Sequence, residues 1–150
     1  MYLALTLQGI IDDLLEQTGA SRCTLRQDVP GAHAYPVTHE ALAPGVHSLK
    51  ELWSVDQAKQ PVVLHLLGGG SQVVQRDSRR EFPDDPEFHG MRKAYGGLAA
   101  QIVTPVVIGE SVVGIISLHQ LEAPREWAED DARLCSTAAS DAAALIKGSR

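Results

Sequence analysis

The chain has 150 residues, of which 44% are hydrophobic and 21% charged, with a formal net charge of -6; this balance fits one folded domain with an ordinary core and lies far from the signature of disorder. The adjacent basic pair Arg79 and Arg80 is flanked by Asp77 and Glu81, so no basic stripe stands ready to displace counterions, and direct nucleic-acid binding is disfavoured. No apolar run approaches the roughly 20 residues of a membrane span, and Cys23 and Cys135 have neither zinc-site nor disulfide-framework spacing. The apolar N-terminus lacks a basic leader segment and is broken by Asp12, Asp13 and Glu16, which points to a mature helix in a cytoplasmic protein.

Leu7, Ile10, Ile11, Leu14 and Leu15 recur at helical spacing, with acidic residues opposite them, and predict an amphipathic helix ending at Gly19. Ser21 to Val29 alternates: Cys23, Leu25 and Gln27 face one way, while Arg22, Thr24 and Arg26 form what reads as a wetter face. Pro30 and Gly31 predict a turn, and Ala34 to Leu42 a second extended piece that Pro36 confines to an edge or bulge. Residues 43 to 60 read as mostly irregular, with Ser48 able to cap a short turn. Pro61 suits the first position of a helix through Leu67, favoured over a strand despite Val62 and Val63, and Gly68 to Gly70 read as a flexible turn without the Lys-Ser/Thr of a phosphate loop.

Gln72 to Arg76 predicts a short strand, and Pro86 opens a short helix that Gly96 and Gly97 terminate. Ala99 to Ile108 and Ser111 to Gln120, joined by Gly109-Glu110, predict a hairpin with a type II′ turn. Both strands are apolar on both faces and belong at the sheet centre. Glu129, Asp130 and Asp131 then complement the dipole of a final helix running to about Lys147.

Several stretches carry a resemblance to a known family. Val73-Val74-Gln75-Arg76-Asp77 with Phe82-Pro83-Asp84-Asp85, Tyr95-Gly96-Gly97-Leu98 leading to Thr104-Pro105-Val106, the hairpin ending in Gly114-Ile115-Ile116-Ser117-Leu118, and Arg125-x-Trp127-x-x-x-Asp131 together resemble a GAF domain. The resemblance covers residues 60 to 150 best. It implies an α/β (α+β), GAF/PAS-like fold: a central antiparallel sheet, terminal helices on one face, and a lid of about Arg76 to Gly97 over a pocket on the other. The departures are informative. The Asn-Lys-x-x-x-Phe-x-x-x-Asp-Glu pattern of cyclic-nucleotide-binding members is missing, no central Cys suits the thioether that holds a linear tetrapyrrole, and Cys23 and Cys135 do not match the cysteine cluster of the free-methionine-sulfoxide reductases. Bilin attachment and that enzymatic activity are therefore disfavoured.

His33, His39, His47, His65, His89 and His119 form no helical i, i+3 or i, i+4 pair, which disfavours a haem or metal site. Tyr35, Trp53 and Tyr95, few enough to be informative, join Asp77, Thr104 and His119 as candidate ligand-binding residues. Plainer roles compete: Asp77 suits an ion pair or an Asx turn, His119 a hydrogen-bonded packing position, and Trp127 an anchor for the last helix. Ser117 and His119 alternate onto one strand face without an acidic partner, so nucleophilic catalysis is disfavoured. The expected function is noncatalytic binding of a small organic ligand. A pairing module with a collapsed pocket is the alternative, and an enzyme of unrecognised type the third. Ala132, Ala139 and Ala143 predict a close helix contact in a homodimer built on the terminal helices.

Overall fold

The computed structural model describes residues 2–29 and 35–150; the expected turn at Pro30 and Gly31, and Ala34 at the head of the second extended piece, lie outside them. The first helix, α1 (Tyr2–Thr18), buries Leu7, Ile11 and Leu14 and stops where Gly19 takes a φ of 65°, a conformation that costs glycine little. Five strands follow: β1 (Arg22–Gln27), β2 (Val37–Leu42), β3 (Val73–Gln75), β4 (Leu98–Ile108) and β5 (Ser111–Leu121). Their pairing is antiparallel, in the order β2-β1-β5-β4-β3. The apolar hairpin thus supplies the central strand, and Pro36 precedes an edge strand, where its missing N–H does no harm. At the hairpin turn Gly109 has a φ of 63° while Glu110 is not among the positive-φ residues, which fits the type II′ expectation.

Gly114 permits a close approach in this sheet, since a Cβ there would stand 2.8 Å from the Arg26 carbonyl oxygen. The remaining helices are α2 (Pro61–Leu67), α3 (Pro86–Ala94) and α4 (Glu129–Gly148). Single 3-10 turns at Gln57–Lys59 and Ser78–Arg80 precede α2 and α3. Asp85 caps α3 by accepting from the Phe88 N–H at 3.0 Å.

Alternate side chains of the sheet serve two layers. On one side Cys23, Leu25, Ile102, Val106, Ile116 and Leu118 pack with Leu7, Ile11 and Leu14 of α1 and Cys135, Ala138 and Ala142 of α4. On the other, Val103 and Ile115 meet Val62, Val63 and Leu66 of α2 and Phe88 and Met91 of α3. The Arg-x-Trp-x-x-x-Asp stretch ties these layers together. Trp127 Nε1 donates to the Gln75 carbonyl at 3.0 Å, and the Arg125 guanidinium lies 4.5 Å over the indole ring. Arg125 also donates to the Thr18 carbonyl at the end of α1 and to Asp131 at the start of α4. Ala128 offers no side-chain cap, and Asp131 instead accepts its backbone N–H at 2.9 Å.

Two expectations change. Arg22, Thr24 and Arg26 do not face water: all three are buried, because β1 lies between β2 and β5 and its polar face is roofed. Ala139 is also buried, within the α4 core cluster, and Ala132 and Ala143 pack against that cluster. The alanine face expected to meet a second copy is largely spent inside the fold.

Candidate functional site

β1 sets out the floor of the site. Period-two alternation puts Arg22, Thr24 and Arg26 on the face opposite Cys23 and Leu25, and the partner strand β5 aligns Thr24 with Ser117 and Arg22 with His119. Gln101 of β4 stands opposite His119 in turn. Side chains of six of these positions are polar and buried, unlike the hydrocarbon on the sheet's other face.

The floor is wired together by hydrogen bonds. Arg22 donates through Nε to His119 Nδ1 at 3.1 Å, and through its terminal nitrogens to the His47 carbonyl at 3.1 Å and the Tyr95 carbonyl at 2.8 Å. Arg26 donates to the Tyr35 carbonyl and to the Tyr95 hydroxyl, each at 2.9 Å. Gln57 donates to the same hydroxyl at 2.9 Å. Because His119 accepts at Nδ1, its proton sits on Nε2. Burial, reinforced by the charges of Arg22 and Arg26, pushes the His119 pKa well down, so the ring is neutral at physiological pH. Burial also lowers Arg22 to about 10, which leaves it charged.

Two cavities border this floor. The smaller, about 30 Å³, is lined by Tyr95, His119, Ser117, Gln101, Arg26 and Gln57 among others, and has room for about one water. The larger, about 290 Å³, opens beside it under Leu49, Leu52, Trp53 and Val55, with Pro36 and Val37 of the β2 edge. Arg26 and Gln57 line both. The roof therefore extends beyond the expected lid to the 49–66 segment.

The candidate residues divide accordingly. Tyr95 and His119 line the smaller cavity, their rings 5.5 Å apart. Trp53 lines the larger and is 66% exposed at its mouth. Tyr35 adjoins them through its carbonyl on Arg26, while its hydroxyl donates to the Val112 carbonyl at 2.8 Å. Thr104 is not with them: it is on the helix side of the sheet, where its hydroxyl accepts from Gln72 at 3.0 Å beside α4. Asp77 is also apart, capping the Ser78–Arg80 turn and paired with Arg79 at 2.8 Å and Arg80 at 3.6 Å. The hydrogen bond from Arg79 lowers its pKa to about 2.

Sequence reasoning missed Arg22, Arg26 and Gln57. The signal was available in the Arg-x-Thr-x-Arg alternation: a strand neighbouring a hairpin covered on both faces has no wet face of its own. Among the described residues no cluster of three or more His, Cys, Asp or Glu side chains is arranged to hold a metal ion. Both cysteines are free and buried in the helix-side core, and burial raises both thiols, Cys135 to about 12.

A sheet with paired terminal helices on one face and a roofed, polar-floored pocket on the other is an α+β architecture. The GAF domain family model matches residues 3–146, and the chain belongs to that family. Among solved structures it is similar to the cyanobacteriochrome TePixJ GAF domain, at 16% identity and a TM-score of 0.82 over 97% of this chain and 89% of that one. It is similar as well to the photoproduct state of GAF3 from Slr1393 of Synechocystis sp. PCC6803, at 20% identity and a TM-score of 0.78 over 98% and 94%. A phycocyanobilin-bound GAF domain from a cyanobacterial phytochrome matches at 18% identity and a TM-score of 0.80 over 98% and 85%. A comparison with curated proteins found no match.

Proposed function

We propose that this chain is a noncatalytic sensory or regulatory module that binds a small organic ligand between the sheet and its roof. The observation that carries the reading is the polar floor of Arg22, Arg26, Tyr95 and His119, buried yet contiguous with a 290 Å³ cavity. That volume lies near the small end of ligand pockets. Catalysis is not favoured, because the one histidine in the floor takes its Nδ1 hydrogen bond from a cation rather than giving it to an orienting carboxylate. The free thiols suit a reducing cytoplasm.

The phycocyanobilin named for one neighbour does not fit as a thioether-bound group here. Both sulfurs belong to the core between the sheet and the terminal helices, on the wrong side of the sheet from the cavities. The ligand is therefore read as noncovalent and smaller.

A thermal-shift screen of metabolites tests the reading. Binding to the native state alone stabilises it by about 2.7 kcal/mol at a ligand concentration a hundredfold above Kd. Trp53→Phe is expected to abolish the ligand-induced change in fluorescence and Trp127→Phe to preserve it. A screen without any shift would favour the second reading, a pairing module, which the outward Tyr2 and Leu5 of α1, 80% and 68% exposed, support. Pairing of two copies through the terminal helices predicts a concentration-dependent dimer in sedimentation, and a monomer at high micromolar concentration would exclude it.

A further inference from the structure

Arg22 is 0% exposed and Arg26 9%, yet every acceptor either one holds is neutral: three carbonyls, an imidazole nitrogen and a phenol oxygen. The ion pairs among the described residues engage Lys59, Arg76, Arg79, Arg80, Arg125 and Arg133, never these two. The residues outside the description contain no Asp or Glu, so the chain holds no hidden counter-charge. Glu40, which acts on Arg22 from a distance, has its oxygens occupied by the Ser48 hydroxyl and the Leu49 N–H. Enclosed positive charge without an anion is costly, and proteins normally pair or neutralise it. Guanidinium does not neutralise at physiological pH.

The same floor carries unused hydrogen-bonding capacity. The Thr24 hydroxyl, between the two arginines on their face of β1, is buried without a partner among the described residues, as is Gln60 Oε1 in the roof. If the lid-side cavities hold a ligand, as proposed above, these charges select its chemistry. We propose that the ligand is a small organic carboxylate whose charged group docks on Arg26, at the wall shared by the two cavities, with its apolar body in the larger one under Trp53. Arg26 supplies the paired donors that suit a planar carboxylate. Leu49, Leu52 and Val55 supply the apolar surface for the body. Arg22 acts at one remove, donating to His119 and adding to the positive field.

Matched acids and amides test this on the unmodified protein: benzoate against benzamide, and 4-methylpentanoate against 4-methylpentanamide, with inorganic phosphate as a third arm, read by thermal shift and Trp53 fluorescence. The expected result is that at least one acid binds, its amide binds tenfold or more weakly, and Arg26→Gln, checked for wild-type circular dichroism, loses about tenfold or more of the acid affinity. Amides that match or exceed their acids would overturn the carboxylate assignment and leave ligand binding standing. Phosphate binding without either acid would overturn the organic body. If neither arm binds while neutral members of the metabolite screen do, the assignment also falls; silence in both experiments removes the ligand-binding reading itself.

Discussion

The two faces of the sheet are built from the same strands to opposite specifications. Toward α1 and α4 the packing is hydrocarbon and thiol, with Cys23, Leu25, Ile102 and Leu118 nearly inaccessible. Toward α2 and α3 the roof is apolar, from Val62 to Met91, but the floor is made of guanidinium, imidazole, hydroxyl and amide. Close-packed apolar layers gain stability from every buried methylene. A polar floor holding two cations that make no ion pair among the described residues gives up some of that gain, and such a loss is characteristic of binding sites.

Aspartate substitutions break the comparison most sharply. Val106→Asp, in the helix-side core at 0% exposure, is expected to cost several kcal/mol, comparable with the whole stability of a domain, because nothing there can pair a carboxylate. Ile115→Asp, buried in the cluster under α2 and α3 but opposite Arg26 across the β1–β5 pair, is expected to destabilise less than Val106→Asp, because that guanidinium offsets part of the carboxylate's burial cost. Thr24→Asp is expected to behave differently. It places a carboxylate between Arg22 and Arg26 but also opposite Glu40 of β2, so its Tm is expected to stay close to that of the parent while the acid affinity falls. Unfolding of this variant would show that the floor does not lack an anion.

A smaller effect separates the faces by pH. His119 is the buried neutral base of the floor, with a folded-state pKa well below the ordinary 6.5. The unfolded chain therefore binds the extra proton first, and stability falls as pH drops below about 6.5, by up to about 1.4 kcal/mol per pH unit until the folded form is protonated too. Denaturant melts at pH 7.5 and 5.5 are expected to differ accordingly, and His119→Gln is expected to remove most of that difference. The smallest expected effect is a gain on the helix side: Ala128→Ser supplies the missing cap of α4 and is expected to add about 0.5–1 kcal/mol in the same melts.

Much of the architecture was legible because periodicity reports burial. The α1 stripe, Pro61 at the start of α2, the Gly109-Glu110 turn and the acidic first turn of α4 each encode a local rule that the fold obeys. The site was harder to read. Tyr95 and His119 came from scarcity and position, and the structure puts them on one cavity. Thr104 lies one residue from the lid-facing Val103, and a single step along a strand reverses the face. Asp77 follows the local chemistry of its arginine neighbours instead of the cavity. The irregular 49–57 stretch, which walls the larger cavity, carries no periodic signal at all, because its contacts are set by the roof and not by repeat spacing.

The alternation of β1 has a consequence for how the chain finds its own pairing. In the register that sets Cys23 against Leu118 and Leu25 against Ile116, Arg22 and Arg26 face the polar floor. A slip of one residue would turn both guanidinium groups into the hydrocarbon beneath α1 and α4 and lift Cys23 and Leu25 out of it. Each cation displaced into that hydrocarbon would be buried unpaired, so the slipped pairing is disfavoured. The charges that ready the pocket for an anion thus also proofread the sheet: a variant with both arginines replaced by leucine would lose the distinction between the faces of β1, and with it the penalty that holds the strand in step.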